Sequence, residues 1–340
     1  MRKHSASPGV RYSVIVPAYN AQSTLPLCLD ALSWQTVPRK EYEIIVVDDG
    51  STDDTAKAAE GFDVRYFYQP NQGPACARNR GAEAARGAVI LFTDSDCIPA
   101  RDWIAQMAKP FEDPETVAVK GAYQTSQKEL MARFAQLEFE DRYDLLRTYS
   151  RIDMIDTYSA AFRKVVFMQV GGFDTNFPQA NNEDTELSYR LSAAGCRMVF
   201  NPEAIVVHRH PDNLIKYLRT KFRRAYWRMI VYRRFPKKAF KDSYTPKSLK
   251  LQTLLMALSL PFLLSALFHP ALARLALIVW AAVIVSSVPF SLTVFKKDKQ
   301  VGLIAPAVVF LRSAVFACGS ILGAARSLFF PDLNEIAKAQ

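Results

Sequence analysis

The amino-acid sequence predicts an α/β domain built on a Rossmann-like sheet, followed by a helical membrane region. Two observations predict the sheet: short apolar runs alternate with segments of helical spacing over residues 12–93, and several of these runs end in acidic or polar turns. A third observation predicts the helical region, since long stretches without any charged residue begin at Leu251. A chain of 340 residues is also long enough for two structural units.

The sheet prediction starts from two apolar runs separated by a helical segment. The runs at 12–18 (YSVIVPA) and 42–47 (YEIIVV) lack strict alternation of polar and apolar residues. This pattern is typical of strands that are buried on both faces of a parallel sheet. Residues 23–34 between them place leucines at helical spacing, so we expect a β-α-β unit.

The same alternation continues to residue 93. The predicted elements are, in order, a helix over 52–60 capped by Ser51 or Thr52, a strand over 64–68, a helix over 74–86 and a strand over 88–93. Ligands collect beyond the carboxyl ends of strands in open α/β sheets. We therefore expect residues 17–20, 48–51 and 94–96 to meet at one rim.

Charge is distributed unevenly along the chain. Residues 1–208 carry 22 Lys and Arg against 28 Asp and Glu, a formal charge of −6, whereas residues 209–250 carry 14 basic and 2 acidic residues. The first part is therefore not a nucleic-acid binder by charge. The five cysteines are scattered without metal-ligand spacing, which predicts reduced thiols in a cytosolic setting. Residues 1–10 have no apolar core, so we expect no secretory signal and a cytoplasmic N-terminal domain.

The C-terminal part predicts a membrane region. Residues 251–268 and 275–295 contain no charge and are each about long enough to cross the hydrocarbon of a bilayer as a helix. Basic residues before the first run and after the second place both flanks in the cytoplasm. A third apolar run, 301–330, contains Arg312; it either spans the membrane or lies at a shallow depth in it. The alternative is a buried helical bundle in a soluble protein.

The tripeptide Asp94-Ser95-Asp96 places two carboxylates in a turn at a strand end. Carboxylate oxygens are the ligands that Mg²⁺ and Mn²⁺ prefer, and a divalent cation commonly neutralises a diphosphate. Asp and Ser are also frequent in ordinary turns. The tripeptide therefore indicates a metal site only together with its neighbours.

Two further motifs precede this tripeptide. In the segment 46–53 (VVDDGSTD) a carboxylate either accepts hydrogen bonds from a base or ribose, or Asp49 or Ser51 caps the next helix. In the segment 71–79 (NQGPACARN) a glycine turn enters a helix and brings Arg78 within reach of a diphosphate or of Asp94. A structural ion pair is the alternative interpretation of Arg78.

The order VIVPAYN, VVDDGSTD, NQGPACARN and FTDSD resembles the family 2 glycosyltransferases, which have a GT-A fold. Further matching segments follow in the order of that family: FRK at 162–164, GGFD at 171–174, EDTELSYRL at 183–191 and VVH at 206–208. The resemblance covers residues 12–208. It implies a nucleotide-sugar donor and a catalytic domain over residues 1–208.

The resemblance also implies roles for residues of the donor and metal sites. The donor-side residues are Asp49 for the nucleobase, Pro17, Ala18 and Tyr19 as walls of the nucleotide pocket, and Arg78, Asp94 and Ser95. The metal-side residues, for Mn²⁺ or Mg²⁺, are Asp96 as direct ligand, Asp94, which contacts ribose or metal, and His208. For His208 the alternative is a solvent-exposed side chain near His210.

Asp184 is implied to be the general base, with Glu183 as its alternate. Inversion by direct displacement needs a carboxylate within about 3 Å of the acceptor hydroxyl. Adjacent carboxylates at a helix start also serve as caps. If the acceptor is a lipid phosphate, the nucleophile is already anionic, and Asp184 orients the acceptor instead.

Residues 209–250 mix cations with aromatic residues at helical spacing, which suits a helix in an anionic membrane interface; a solvated charged helix is the alternative. We thus expect three parts: a catalytic domain over 1–208, a basic interface segment over 209–250 and a membrane region over 251–340. The Gln-x-x-Arg-Trp motif of processive synthases is absent and no apolar span precedes the domain, which favours transfer of a single sugar.

The sequence thus predicts an inverting enzyme of the cell membrane, multi-pass with a cytoplasmic catalytic domain. The expected donor is a nucleotide sugar, preferably a UDP-sugar, and the expected acceptor is membrane-associated or lipid-linked, in envelope glycolipid or exopolysaccharide assembly. A polyprenyl phosphate is the second acceptor. Two rivals are a nucleotidyltransferase, whose Gly-rich loop is missing after the first strand, and a non-catalytic membrane scaffold.

Overall fold

The computed structural model describes residues 9–177, 182–266 and 268–329. Within these residues the chain divides into two compact units. The first, which we call the sheet unit, comprises residues 9–126 and 146–209. The second, the helical unit, comprises residues 127–145 and 210–329. Residues 127–145 thus pack with the C-terminal helices, whereas the sequence predicts that they belong to a catalytic domain over residues 1–208.

Eight strands of the described residues form one sheet in the sheet unit. In chain order they are β1 (Tyr12–Ala18), β2 (Tyr42–Asp48), β3 (Arg65–Tyr68), β4 (Val89–Phe92), β5 (Ile98–Pro99), β6 (Thr116–Gln124), β7 (Ala160–Arg163) and β8 (Arg197–Val207). Their order across the sheet is β3-β2-β1-β4-β7-β6-β8-β5. The predicted α/β fold class is confirmed.

The sheet is parallel in its first half and mixed in its second. Strand β1 runs parallel to β2 and β4, and β2 runs parallel to β3. Strand β7 is antiparallel to both β4 and β6, β6 is parallel to β8, and β5 is antiparallel to β8. The parallel half holds β1, β2 and β4, so their carboxyl ends lie at one rim, as predicted.

The helices of the sheet unit are α1 (Leu25–Ser33), α2 (Thr55–Ala59), α3 (Pro74–Ala84), α4 (Trp103–Ala108), α6 (Lys164–Gln169) and α7 (Glu183–Ala193). In α1 the predicted leucine stripe is buried together with Cys28, because i, i+3 and i+4 positions share one helix face. In α3 a glycine permits close packing on β1: a Cβ at Gly81 would lie 2.4 Å from Cγ2 of Ile15.

The predicted cap of α2 is wrong. The helix begins at Thr55, with Asp54 at the N-cap position. Ser51 is occupied elsewhere, since its hydroxyl oxygen accepts a hydrogen bond from the backbone N–H of Asn20 at 2.9 Å. Asp53 accepts hydrogen bonds from Thr55 instead, at 3.0 Å from its backbone nitrogen. The residues after β2 therefore form a structured loop before the helix starts.

The helical unit contains α5 (Leu130–Arg147, apart from its last two residues), α8 (Leu214–Arg234), α9 (Pro236–Phe240), α10 (Lys247–Ser265), α11 (Ala271–Lys297) and α12 (Lys299–Phe329). Helix α12 packs on α8 through two glycines four residues apart. A Cβ at Gly323 would lie 2.2 Å from the carbonyl oxygen of Tyr226, and one at Gly319 would lie 2.6 Å from that of Phe222. Small residues at this spacing let two helix backbones approach closely.

Two helices among the described residues are long and apolar enough to cross a membrane: α11 and residues 299–328 of α12. Both expose large apolar side chains, for example Ile278 at 64% and Leu303 at 74%. Helix α10 covers most of the first predicted apolar run and ends at Ser265. The structure thus has two candidate apolar helices near the C-terminal end of the chain.

Candidate active site

The loops that follow β1 and β2 are fastened to each other at the rim. Asn20 has a positive φ of 49°, and its side-chain oxygen accepts a hydrogen bond from the backbone N–H of Thr52 at 2.8 Å. Gly50 has a φ of 80°, and a Cβ there would lie 2.6 Å from the backbone nitrogen of Asn71. A side chain is therefore excluded at this position, and three loops meet around it.

Asp49 is buried, and its carboxylate holds the loop after β3. It accepts hydrogen bonds from Nε2 of Gln69 at 2.7 Å and from the backbone N–H groups of Gln72 at 2.9 Å and Gly73 at 2.8 Å. Gly73, with a φ of 90°, then leads into α3. Asp49 thus fixes the loop that leads into α3, the helix that carries Arg78.

The predicted nucleotide-pocket residues lie at the end of β1. Pro17 and Ala18 are buried in the sheet, and Tyr19 is 53% exposed at its rim. Of these three residues, Tyr19 has the side chain that is open to solvent.

Arg78 is 3% exposed and forms two ion pairs. Its Nη2 lies 2.8 Å from Oδ1 of Asp94, and its Nη1 lies 2.9 Å from Oε1 of Glu183. Burial favours a lower pKa for this guanidinium, but the carboxylates of Asp94 and Glu183 outweigh it and raise the pKa of Arg78 above its ordinary value. The ion-pair interpretation of Arg78 therefore describes the observed geometry.

The two carboxylates of the Asp94-Ser95-Asp96 turn diverge. Asp94 is held by Arg78, and its backbone carbonyl accepts a hydrogen bond from the N–H of Cys97 at 3.0 Å. Ser95 is half-buried between the two. The side chain of Asp96 is 47% exposed, and its Oδ1 lies 3.5 Å from Nδ1 of His208. The structure thus brings Asp96 and His208 together and places Asp94 with Arg78.

His208 reaches Asp96 because of strand pairing that joins distant parts of the chain. Val207, at the end of β8, pairs with Ile98 of β5, which closely follows Asp96. The backbone N–H of His208 also donates to the carbonyl of Gln124 at 2.9 Å. Burial raises the pKa of Asp96, but the hydrogen bond and charge of His208 outweigh it, so that the pKa lies below its ordinary value.

Aromatic rings lie behind His208. Its imidazole stacks on the ring of Tyr123, with centroids 4.7 Å apart, and Tyr123 stacks in turn on Tyr158. The buried ammonium of Lys120 donates a hydrogen bond to the hydroxyl of Tyr158 at 2.9 Å and is paired with Asp156. These contacts fix the plane of the imidazole.

The two acidic residues at the start of α7 differ in their surroundings. Glu183 is 2% exposed and is paired with Arg78. Asp184 is half-buried, and its Oδ1 accepts a hydrogen bond from the N–H of Thr185 at 2.6 Å. Arg78 therefore links the turn after β4 to the first residue of the helix that carries Asp184.

Sequence reasoning missed three features of this site. The first is the pairing of Arg78 with Glu183, which lie 105 positions apart. The second is the stack of Tyr123 and Tyr158, which no motif marks. The third is Cys97, whose Sγ lies 3.7 Å from Nδ1 of His208; its position directly after Asp96 is the one signal that the sequence offered.

The chain is similar to a known protein family and to several curated proteins. The model of the family described as Glycosyl transferase family 2 matches residues 13–171. Glycosyltransferase AglE of Haloferax volcanii is 27% identical over 202 residues, which is 58% of this chain and 66% of that protein. A pre-mycofactocin glycosyltransferase of Mycobacterium tuberculosis is 30% identical over 224 residues, 62% of this chain and 45% of that protein.

Two further comparisons concern another curated relative and a solved structure. A validoxylamine A glucosyltransferase of Streptomyces hygroscopicus subsp. limoneus is 26% identical over 56% of this chain and 50% of its own length, so the chain spans two thirds or less of these curated relatives. The mannosyltransferase PcManGT of Pyrobaculum calidifontis, solved with GDP-Man and Mn²⁺, is 23% identical with a TM-score of 0.59, over 96% of this chain and 91% of that one. This last likeness concerns the fold. Residues 13–171 of this chain thus match a family 2 glycosyltransferase domain, and the fold is of the GT-A type.

Proposed function

We propose that this protein is an inverting glycosyltransferase that moves a single sugar from a nucleotide sugar, preferably a UDP-sugar, to a membrane-associated acceptor. The observation that carries this proposal is the pairing of Asp96 with His208 at the rim where β1, β2 and β4 end. The acceptors we favour belong to envelope glycolipid or exopolysaccharide assembly. A polyprenyl phosphate is the second choice.

The donor set at Asp96 fits Mn²⁺ or Mg²⁺. Asp96 offers an exposed carboxylate and His208 an imidazole nitrogen 3.5 Å away, and both ions bind carboxylates in sites that leave positions open for phosphate. The nitrogen donor favours Mn²⁺ over Mg²⁺. Asp94 would join through its part-exposed carboxylate while Arg78 holds its Oδ1. A bound ion supplies positive charge opposite the diphosphate leaving group.

The donor nucleotide is assigned to the loops after β1, β2 and β3. Tyr19 is exposed enough to stack on a base, and Pro17 and Ala18 precede it as buried residues at the end of β1. Asp49 holds the loop that carries Gly73, and Ser95 lies half-buried in the turn after β4. Arg78 acts here through Asp94, because its guanidinium is buried and paired, and so it is a positioning residue.

Asp184 is assigned as the general base. Its neighbour Glu183 is buried in an ion pair with Arg78, which favours the half-buried Asp184 for contact with an acceptor. The carboxylate removes the proton of the acceptor hydroxyl while that oxygen attacks the anomeric carbon and the diphosphate departs, which inverts the configuration. With a lipid phosphate as acceptor, no proton is removed and Asp184 orients the nucleophile.

Features of the helical unit support a membrane-associated acceptor. Helices α11 and α12 expose broad apolar surfaces. Helix α8 buries Tyr217, Ala225 and Val231, whereas its cations other than the buried Lys221 are exposed or half-buried. Phe240 of α9 is 87% exposed and has lysines as neighbours in the chain. Such a basic and aromatic surface suits an anionic membrane. We propose a multi-pass cell-membrane protein with its catalytic domain in the cytoplasm.

A nucleotide-sugar panel tests the proposed reaction. Purified full-length protein in detergent is incubated with Mn²⁺ or Mg²⁺, each nucleotide sugar and membrane lipid extract, and the released products are analysed. Nucleoside diphosphate release that depends on metal and lipid extract supports the proposal. Pyrophosphate release would identify a nucleotidyltransferase, and silence with every donor would favour a non-catalytic scaffold.

Asp96→Ala provides the matched metal test. We expect the substitution to abolish metal-dependent binding of the nucleotide sugar, measured by calorimetry, because it removes the exposed carboxylate that is proposed to bind the metal ion. Glu203→Gln is the control, since this carboxylate is exposed in β8. Unchanged metal-dependent binding in Asp96→Ala would contradict the assignment.

A further inference from the structure

The thiol of Cys97 lies within the group of metal donors, and the proposed transfer reaction does not use it. Its Sγ is 3.7 Å from Nδ1 of His208 and 3.8 Å from Oδ1 of Asp96, which are 3.5 Å from each other. All three donor atoms lie within 4.8 Å of one another. They form a nearly equilateral triangle.

This triangle matches one face of a tetrahedral metal site. Zinc–sulfur bonds of about 2.3 Å and zinc–nitrogen or zinc–oxygen bonds of about 2.0–2.2 Å place neighbouring donors about 3.3–3.6 Å apart. Small side-chain rotations bring Asp96, Cys97 and His208 to those separations. One carboxylate oxygen, one sulfur and one imidazole nitrogen are a ligand set that zinc accepts, and the fourth position stays open.

We propose that Asp96, Cys97 and His208 form a site for a thiophilic divalent cation such as Zn²⁺, which displaces the ion that transfer requires and inhibits the enzyme. Hard ions such as Mn²⁺ and Mg²⁺ use the oxygen and nitrogen donors, whereas Zn²⁺ gains the sulfur as well. Divalent affinity also rises from Mn²⁺ to Zn²⁺ for a given donor set. Zinc with three protein ligands in a tetrahedral site has one coordination position left for a diphosphate. An octahedral ion has more open positions, so it binds the diphosphate with more bonds.

The chemistry of the thiol agrees with this selectivity. The thiol of Cys97 is fully buried beside Asp96 and His208, and the thiolate is the form of cysteine that binds a metal ion. When Zn²⁺ binds, the zinc–sulfur bond forms and the proton leaves to solvent. The inhibitory part of this inference rests on the proposed function, but the ligand set does not.

Cobalt spectroscopy on the full-length protein tests the ligand set. Co²⁺ replaces Zn²⁺ in such sites, and a cobalt–thiolate bond gives a charge-transfer band in the near ultraviolet. We expect the band in the wild-type protein and in Cys196→Ser, whose cysteine is half-buried elsewhere. We expect its loss in Cys97→Ser. Absence of the band in the wild type, or its persistence in Cys97→Ser, would overturn the proposal.

Zinc affinity and inhibition provide the quantitative test. Competition with a chromophoric chelator should show Zn²⁺ affinity lowered by about 100-fold or more in Cys97→Ser, because even outer-shell partners of a metal account for about 10–100-fold. Thermal unfolding of each variant, and the same measurements on Cys97→Ala, separate ligand loss from misfolding. Unchanged Zn²⁺ affinity in a folded variant would contradict the site.

The activity measurement separates this proposal from the proposed function. Zn²⁺ inhibition, expressed relative to each variant's own rate with Mn²⁺, should require more Zn²⁺ in Cys97→Ser than in the wild type. A cobalt–thiolate band without sugar transfer would uphold the site and reject the transferase. Transfer without the band would do the reverse.

Discussion

Each of the two units contains a buried charge network, and the networks differ in where they end. In the sheet unit, Arg78 is 3% exposed, but its partner Asp94 has a side chain that is 30% exposed. In the helical unit, Glu138 of α5 is paired with Lys221 of α8 at 2.7 Å and with Arg312 of α12, and all three side chains are at most 8% exposed. The first network reaches solvent, whereas the second is closed.

The difference separates a network that positions a site from one that holds helices together. A partly exposed carboxylate held by a buried cation is oriented and still able to contact a ligand. In the closed network one carboxylate is instead shared by two cations, and Arg312 also donates to Oε1 of Gln252 at 2.7 Å. The charges of Lys221 and Arg312 outweigh the burial of Glu138 and hold its pKa below the ordinary value. Glu138 thus provides the negative charge that Arg312 needs inside an apolar helix.

The largest effect that this comparison predicts is on catalysis. Asp184→Asn should lower transfer to a hydroxyl acceptor by about 10²–10⁴-fold, because the general base is lost. Donor binding and the unfolding temperature should stay close to those of the wild type, since an amide oxygen still accepts from the N–H of Thr185. Product formation and donor calorimetry measure both, with Glu203→Gln as control. Retained transfer would remove Asp184 from its role, or identify a phosphate acceptor if the lipid product contains one.

The next effect concerns the stability of the closed network. Glu138→Ala should lower the free energy of unfolding by about 3–5 kcal/mol, because two buried cations lose their counter-charge. Replacing Glu138, Lys221, Arg312 and Gln252 together by Leu or Met should recover much of this loss. Denaturant unfolding in detergent measures both variants. If the apolar replacement is as unstable as Glu138→Ala, the network contributes more than charge compensation.

A smaller effect is expected behind His208. Tyr123→Leu should weaken Mn²⁺ binding by about 10-fold, because the ring that stacks on the imidazole is lost. Tyr123→Phe keeps the ring and should restore binding. The expected signature is a raised metal requirement with little change in kcat at saturating Mn²⁺. Equal Mn²⁺ affinity in the Leu and Phe variants would show that the stack does not orient His208.

The smallest effect isolates burial as the cause. Glu140 lies two residues after Glu138 on α5 and is paired with Lys297 at 2.8 Å, but their side chains are 35% and 43% exposed. Glu140→Gln should therefore change the free energy of unfolding by less than about 1 kcal/mol. Measured beside Glu138→Ala, it controls for loss of a carboxylate from this helix. A loss as large as that of Glu138→Ala would show that pairing, rather than burial, sets the cost.

Local sequence patterns determined the parallel half of the sheet and its rim. The runs at 12–18 and 42–47 coincide with β1 and closely with β2, because strands buried on both faces need continuous apolar residues. The start of α2 was misplaced, since Ser51 hydrogen-bonds to Asn20 of another loop. Local patterns also do not predict that the helical unit includes residues 127–145. Helix α5 carries many charges, and its apolar residues Met131 and Phe134 belong to a cluster with residues of α8, α11 and α12, which lie far away in the sequence.

The sequence by itself determined which residue types stand at the strand ends, and with them the acidic turn that ends in Asp96. Only the tertiary structure decided which side chains these residues contact. Pairing of β5 with β8 brings His208 to Asp96 across 112 positions, and Arg78 finds Glu183 across 105. Motif order does not encode such contacts, because they depend on how distant strands and helices pack. For the same reason Cys97, an unremarked neighbour of Asp96 in the sequence, becomes part of a three-donor group in the fold.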